Sequence, residues 1–226
     1  PTWTVAGMVL IPAIKQRPDV IVTSPSVGLK DFNESSENIF NVWPHDEIAT
    51  RRLASYAIEH GWKTAGIFGS QDPWVTAQSD VFAEAFGAAG GKVVVRVEPL
   101  PSARDLRVEA AKIAAAKPEV VFFSNYQADE IAKHFHELKF EAPKLSILME
   151  KNRVKSANGA LEGTVFALYQ AASSEFQKAF KQKFNVEPGI TADTAYDVVM
   201  LYSEVIKAQN SASTSETLPA LLQTKN

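Results

Sequence analysis

The sequence contains no cysteine and only 4 histidines among its 226 residues. The absence of cysteine excludes disulfides, thiolate metal sites and a cysteine nucleophile. No apolar run approaches the roughly 18 residues of a membrane helix, so direct membrane insertion is not expected. The formal net charge of -3 gives no electrostatic reason to expect nucleic acid or an anionic membrane surface as a partner.

Motifs for catalysis and cofactor binding are missing as well. No G-x-G-x-x-G or Walker pattern follows a strand-like run, and no G-x-S-x-G sequence surrounds a serine. His134 and His136 are two residues apart on a predicted helix, so they point to different faces and cannot share a metal. His45 and Asp46 are interpreted as a helix cap rather than as parts of a triad with Ser26. We therefore predict no catalytic residues, metal or cofactor, and an enzyme is the disfavoured alternative.

The middle third of the chain alternates between two kinds of segment. Short runs of β-branched and aromatic residues are separated by amphipathic stretches whose apolar residues recur at spacings of three and four. This alternation predicts βαβ units and a parallel sheet that is buried on both faces. The strand-like runs cover residues 64–68, 92–97, 119–123, 145–149 and 163–169. Because open parallel sheets bind ligands beyond the carboxyl ends of their strands, the residues that follow these runs are the candidates for function.

Helices are predicted on both sides of this region. The first covers residues 5–16, and the next begins at Asp46 and ends at Gly61, a residue suited to a left-handed stop. Ser102 lies three residues before Asp105 and is predicted to cap the helix that ends before Pro118. Toward the end of the chain, residues 173–184 and 191–208 are predicted helices, and residues 210–216 a loop before a last short helix.

Five segments, taken in order, carry a resemblance to a known family. They are DVIVTSPSVG at 19–28, NIFNVWP at 38–44, IFGSQDPW at 67–74, VVFFSNY at 120–126 and ADTAYDVVMLYSEVIKA at 192–208. Their order and spacing resemble those of the periplasmic solute-binding proteins of the branched-chain amino-acid (Leu/Ile/Val) ABC-transporter class. The resemblance spans nearly the whole chain. It implies an α/β chain with the two-lobed type I periplasmic-binding-protein fold and doubly wound parallel sheets.

The resemblance also implies a division of the chain. Residues 1–43 would form part of the first lobe, residues 44–170 a five-stranded parallel second lobe, and residues 171–226 helices that return to the first lobe. Family members begin well before the position of Pro1 and continue after that of Asn226, so the first lobe is expected to be incomplete. This incompleteness would leave apolar helix residues such as Val5, Val9 and Ile14 without cover.

The first candidate ligand contacts follow the strand-like run 19–23. The resemblance implies that Ser24, Ser26, Val27 and Gly28 supply hydroxyl groups and free backbone N–H groups to a ligand carboxylate. Oriented amides near a helix start suit an anion. The alternative is a Ser-Pro turn that only leads the chain out of a strand.

Glu150 directly follows the strand-like run LSILM. The resemblance places it where the family's carboxylate receives the ligand ammonium group. A carboxylate that is partly shielded from water favours a cation and rejects simple acids. The alternative is a solvated loop charge facing Lys151 or Arg153.

Two aromatic residues and one amide complete the candidate site. The resemblance implies that Tyr126 and Trp74 form pocket walls, because large aromatic faces suit an aliphatic side chain. The family usually has Tyr-Gly near the second position, whereas this chain has Trp74 followed by Val75. The alternative for both aromatics is ordinary core or helix-start packing. Gln170 is a weaker hinge or pocket candidate.

The resemblance, together with the absence of catalytic motifs, implies a non-enzymatic binding protein located in the periplasm or another extracytoplasmic space. It would capture a small zwitterion, preferably an aliphatic amino acid, and pass it to an ABC-transporter permease. The ligand would dock on residues 24–28, and closure of the second lobe about hinges near Pro44 and Ala171 would complete the site. The alternatives are a solute-binding protein for amides, urea or aromatic acids, and the effector-binding domain of a sugar-responsive repressor.

Overall fold

A computed structural model describes residues 3–147 and 151–224, except for the side chain of Lys151. In chain order the elements are α1 (Thr4–Lys15), β1 (Val22–Ser24), β2 (Ile39–Asn41), α2 (Asp46–Glu59), β3 (Thr64–Phe68), α3 (Pro73–Ala88), β4 (Lys92–Val97), α4 (Arg107–Ala116), β5 (Val120–Phe123), α5 (Ala128–Glu137), β6 (Lys144–Ile147), α6 (Lys151–Ser156), β7 (Val165–Ala167), α7 (Ser174–Phe184), α8 (Ala192–Gln209) and α9 (Thr214–Leu222). The chain divides into two compact units. Unit 1 comprises Pro1–His45 and Ala171–Asn226, and unit 2 comprises Asp46–Gln170.

Unit 2 is built on a parallel sheet with the strand order β4-β3-β5-β6-β7. Adjacent strands are in register at their carboxyl ends, where Phe68 of β3 pairs with Phe123 of β5 and with Val97 of β4. Helices α3 to α6 connect successive strands of this sheet, as parallel pairing requires, and α2 precedes β3. The predicted α/β fold class with a parallel sheet is therefore confirmed.

The central strand β5 shows why the sheet is buried on both faces. Successive side chains of a strand point to opposite faces. Phe122 stacks on Phe82 of α3, with ring centroids 4.3 Å apart, whereas Phe123 lies 5.8 Å from Phe135 of α5. Helices thus cover both faces, and the apolar run VVFF is the sequence pattern that a doubly covered strand requires.

Several element boundaries differ from the sequence predictions. The strands β3 and β4 match their predicted runs, but β7 is shorter than the predicted run 163–169. The run 145–149 corresponds to β6 as far as residue 147, and its last two residues lie outside the described part of the chain. The predicted loop 210–216 ends early, because α9 already begins at Thr214.

The predicted cap at Ser102 is wrong. Helix α4 begins five residues later, at Arg107, and the residue before it is Leu106, whose side chain makes no capping hydrogen bond. Asp105 provides the local acceptor instead: its Oδ1 accepts from the backbone N–H of Arg107 at 3.2 Å. The cap was misplaced because a Ser-x-x-Asp pattern also fits a turn that precedes a helix.

Unit 1 contains the parallel strand pair β1–β2 and the helices α1, α7, α8 and α9. Its apolar cluster joins Ile14 of α1 to Val27, Phe32 and Ile39. Ile14 is therefore buried, contrary to the expectation that it would lack cover, whereas Val5 and Val9 are exposed as expected. No described helix is both long enough and apolar enough to cross a membrane.

Candidate functional site

Two loops at the carboxyl ends of neighbouring strands bring the predicted aromatic residues of unit 2 together. Trp74 follows β3 at the start of α3, and Tyr126 follows β5 just before α5. Their rings are stacked, with centroids 5.4 Å apart and planes inclined by 20°. Trp74 is 6% exposed and Tyr126 is 40% exposed, so the pair has one buried and one accessible member. The structure thus joins two side chains that the sequence predicted separately.

The start of helix α3 fixes the backbone of Trp74. Asp72 Oδ1 accepts hydrogen bonds from the backbone N–H groups of Trp74 at 3.0 Å and Val75 at 3.2 Å. Pro73 occupies the first helical position, where its fixed φ and missing N–H suit a helix start. The amides of Trp74 and Val75 are therefore occupied by the cap, and the carboxylate places a negative charge beside the aromatic pair.

The loop that carries Tyr126 is fixed by buried polar side chains. Asn125 Nδ2 donates to the carbonyl oxygen of Gly69 at 2.7 Å, and Asn125 Oδ1 accepts from the backbone N–H of Gln127 at 2.7 Å. The hydroxyl groups of Ser79 and Ser124 are 2.8 Å apart. The bond from Asn125 to Gly69 joins the loop after β5 to the loop after β3. Tyr126 therefore lies between two residues, Asn125 and Gln127, that hydrogen bonds hold in place.

Asp46, in the first turn of α2, is the residue that sequence reasoning interpreted only as part of a helix cap. It is 2% exposed. Its Oδ2 accepts a hydrogen bond from Trp74 Nε1 at 2.6 Å, and its Oδ1 accepts from the Tyr169 hydroxyl at 2.9 Å. A buried carboxylate held by two aromatic donors is thus part of the candidate site. The only sequence signal was an acidic residue at a helix start in a chain whose strand ends carry aromatics.

The two phenols of this cluster are held in their neutral form. Burial raises the pKa of Tyr126 well above its ordinary value, and the charges of Asp72 and Asp46 raise it further, while Arg153 lowers it. Burial also raises the pKa of Tyr169, and Asp46 adds to the effect. Both side chains therefore remain protonated at neutral pH and can donate hydrogen bonds.

The other two site predictions in unit 2 have different outcomes. Glu150, the predicted ammonium ligand, lies outside the described residues, and its role stays a prediction. Gln170 is exposed directly after Tyr169. Within the described part of the chain, no group of three or more His, Asp or Glu side chains is arranged to hold a metal ion.

In unit 1 the predicted carboxylate-binding segment forms a closed turn. Ser24 is fully buried, and its Oγ accepts from the backbone N–H groups of Ser26 at 3.1 Å and Val27 at 3.0 Å. The N–H of Gly28 donates to Thr4 Oγ1 at 3.1 Å. The expectation that these three N–H groups are free is therefore wrong. A Ser-Pro turn, the alternative interpretation, describes their local geometry, because a short hydroxyl side chain satisfies nearby amides. A ligand contact here remains a prediction.

We expect Ser24→Ala to destabilise this turn, because it leaves two buried amides without their acceptor. The free energy of unfolding should fall by about 1–3 kcal/mol. Amide hydrogen exchange at Ser26 and Val27 should rise at the same time. Ser102→Ala, at an exposed serine that caps no helix, is the control. Equal stability and equal exchange in the two variants would contradict the role of Ser24.

Comparison with known proteins identifies the family to which this chain is similar. A sequence profile described as periplasmic binding protein matches residues 1–225. A search of curated proteins finds no significant match.

Solved structures share the fold at low sequence identity. The leucine binding protein LivK from Thermotoga maritima superposes with a TM-score of 0.89 at 19% identity, over 100% of this chain and 68% of that protein. LivJ from Streptococcus pneumoniae, in complex with isoleucine, gives 0.84 at 18% identity, over 100% and 67%. A solute binding protein from Rhodopseudomonas palustris, in complex with 3,4-dihydroxybenzoic acid, gives 0.83 at 22% identity, over 99% and 65%.

The chain therefore spans about two thirds of the length of these solved proteins. The family consists of binding proteins, which agrees with the prediction of a binding role rather than an enzymatic one. Both the profile match over nearly the full chain and the parallel α/β architecture lead to one conclusion: this chain belongs to the periplasmic binding protein family and has its type I fold.

Proposed function

We propose that this chain is the ligand-binding portion of an extracytoplasmic solute-binding protein that serves an ABC transporter. The family match supports this role. The observation that carries it is the stacked pair of Trp74 and Tyr126 at the carboxyl ends of β3 and β5. Residues at this edge of a parallel sheet are those that bind ligands in open α/β folds. The permease is the implied protein partner.

We further propose that the ligand is a small zwitterion, preferably an aliphatic amino acid. An aromatic face suits an apolar side chain. The carboxylates of Asp46 and Asp72 lie close enough to Tyr126 to raise its pKa, so the electrostatic environment of the pair favours a cationic group such as an ammonium. LivK is named a leucine binding protein and LivJ was solved in complex with isoleucine, which supports this ligand class.

An aromatic acid is the second candidate, and one observation favours it. The Trp74–Tyr126 stack offers a flat surface on which a further ring can stack, and the Rhodopseudomonas palustris protein was solved with such a ligand. Its carboxylate would have to point away from Asp46 and Asp72, since like charges repel. We therefore rank an aromatic acid below an amino acid.

The lobe-closure mechanism that the family resemblance implies belongs to this proposal. In it, residues 24–28 receive the ligand carboxylate and Glu150 receives its ammonium group. The ligand must interact more favourably with the closed state than with the open one, because equal affinity for both states shifts no population.

A thermal-shift screen tests the ligand class. The panel contains aliphatic amino acids, small amides, urea, sugars and aromatic acids. A ligand present at about a hundred times its dissociation constant stabilises the native state by about 2.7 kcal/mol, which gives a clear shift. Stabilisation confined to amino acids would support the proposal. A response to dihydroxybenzoate alone would favour the second candidate, and a response to sugars alone would favour a regulatory effector domain. No response to any compound would contradict a solute-binding role for this chain.

Replacing Glu150 by glutamine tests the ammonium contact. Removing the charge should weaken L-leucine binding by about tenfold or more, because one partner of a charged hydrogen bond is lost. Titration calorimetry measures the affinity, with the exposed Glu162→Gln as the charge-matched control. If Glu150→Gln binds L-leucine as tightly as the control does, Glu150 does not contact the ammonium group.

A further inference from the structure

Asp46 links three parts of unit 2 that are distant in the sequence. It lies at the start of α2, whereas its partners Trp74 and Tyr169 lie 28 and 123 positions away. Both carboxylate oxygens are used, at 2.6 Å and 2.9 Å from the donor atoms. Distances in this range are typical of hydrogen bonds to a charged acceptor, which are stronger than neutral ones. The carboxylate therefore ties together side chains that follow β3 and β7.

The hydrogen bond to Asp46 sets the orientation of the Trp74 ring. The cap at Asp72 fixes only the backbone of Trp74, so the two side-chain dihedrals of the indole are set by other contacts. Nε1 is the single donor of that ring, so its partner determines which way the indole edge points. With Nε1 directed at Asp46, one indole face is parallel to the ring of Tyr126 within 20°.

The charge of Asp46 acts on the same pair. Asp46 is 2% exposed, so water screens its carboxylate less than it screens a surface charge. Its influence reaches the phenol of Tyr126, together with that of Asp72, while Arg153 acts in the opposite direction. Aromatic faces themselves attract cations. A ligand ammonium beside this pair is therefore favoured over a carboxylate.

We propose that Asp46 is a positioning residue: it fixes Trp74 against Tyr126 and makes this aromatic pair favour ammonium-bearing ligands over purely anionic ones. The part of this inference that concerns ligands rests on the proposed solute-binding function. The part that concerns ring orientation does not.

The first experiment uses the ligand-free chain. Labelling the tryptophans with ¹⁵N gives one indole N–H resonance for each, and Trp74→Phe assigns that of Trp74. In Asp46→Asn we expect the Trp74 resonance to move upfield and its exchange with water to increase by about tenfold, because the charged acceptor is lost. Asp72→Asn is the matched control: it removes a nearby charge, keeps a good capping residue and leaves the indole contact intact. An unchanged Trp74 resonance in Asp46→Asn would overturn the positioning role.

The second experiment measures ligand selectivity. Affinities for L-leucine and dihydroxybenzoate are compared in the unaltered chain, Asp46→Asn, Trp74→Phe and the double variant. We expect Asp46→Asn to weaken L-leucine about tenfold more than dihydroxybenzoate. In the Trp74→Phe background the same change should have a smaller effect, because residues that act through one another are not additive. Equal weakening of both ligands would overturn the selectivity, and full additivity would overturn the action through Trp74.

The two parts of the inference can fail separately. If the unaltered chain binds neither probe, the proposed ligands and the selectivity are both wrong, while the indole resonance still decides the positioning role. Should Asp46→Asn fail to fold, Tyr169→Phe and Trp74→Phe replace it. Each removes one donor to the carboxylate; Tyr169→Phe keeps the ring, and Trp74→Phe puts a smaller aromatic ring in place of the indole. Trp74→Phe should then reduce the preference for L-leucine, and an unchanged preference would overturn the proposal.

Discussion

Replacing Phe122 by alanine is expected to lower the free energy of unfolding by about 3–5 kcal/mol, since this is the usual loss for a fully buried phenylalanine. Phe122 is 0% exposed and lies in β5, which pairs with β3 on one side and β6 on the other. Its ring is almost parallel to that of Phe82, with centroids 4.3 Å apart. Alanine would leave a cavity between the sheet and α3 that surrounding side chains fill only in part.

Chemical denaturation followed by circular dichroism measures this loss. Phe184→Ala is the control, because the ring of Phe184 is 54% exposed at the end of α7. We expect the control to change the free energy of unfolding by no more than about 1 kcal/mol. Comparable losses in the two variants would show that Phe122 is not part of a tightly packed core.

Trp74→Ala is expected to have the second large effect, on both stability and ligand binding. The indole is nearly buried, so its removal should cost about 3–5 kcal/mol of unfolding free energy. The change also removes the Nε1 donor to Asp46 and leaves a buried carboxylate with one partner fewer. With the wall of the aromatic pair lost, affinity for L-leucine should fall by about tenfold or more.

A comparison with Trp74→Phe separates these contributions. Phenylalanine keeps a ring beside Tyr126 but cannot donate to Asp46. We expect its loss of stability to be the smaller of the two. Calorimetric titration with L-leucine and dihydroxybenzoate gives the binding effects. If Trp74→Ala binds both probes as tightly as the unaltered chain, then Trp74 contributes only to packing, which is the alternative interpretation of this residue.

The parallel sheet of unit 2 could be predicted because its pattern is local. The strands β3 and β4 match their predicted runs from first to last residue, since β-branched runs bounded by turn residues specify strands directly. The cap of α4 could not be located, because both Ser102 and Asp105 carry suitable side chains and only the backbone path decides between them. When two nearby residues can both cap a helix, the sequence alone does not show which of them accepts the backbone N–H, because the path of the backbone decides it.

The candidate site was predictable to the extent that it depends on strand ends. The family resemblance singled out Trp74 and Tyr126, and both follow strands of one parallel sheet, where ligands bind in such folds. The hydrogen bonds of Asp46 to Trp74 and Tyr169 were not predicted, because these residues are far away in the sequence and no spacing rule connects them. The hydrogen bond from the backbone N–H of Gly28 to Thr4 could not be predicted either, because Thr4 lies 24 positions earlier in the sequence.

The closed turn at residues 24–28 changes how an arriving anion would be received. A ligand carboxylate would have to replace the Ser24 hydroxyl as the acceptor for the N–H groups of Ser26 and Val27, because these N–H groups are not free. Only the difference between a charged and a neutral acceptor would then contribute to affinity, about 1 kcal/mol per bond. Rotation of one serine side chain would accompany each binding event. Alanine at position 24 would remove this competing acceptor, together with the loss of stability expected above for Ser24→Ala.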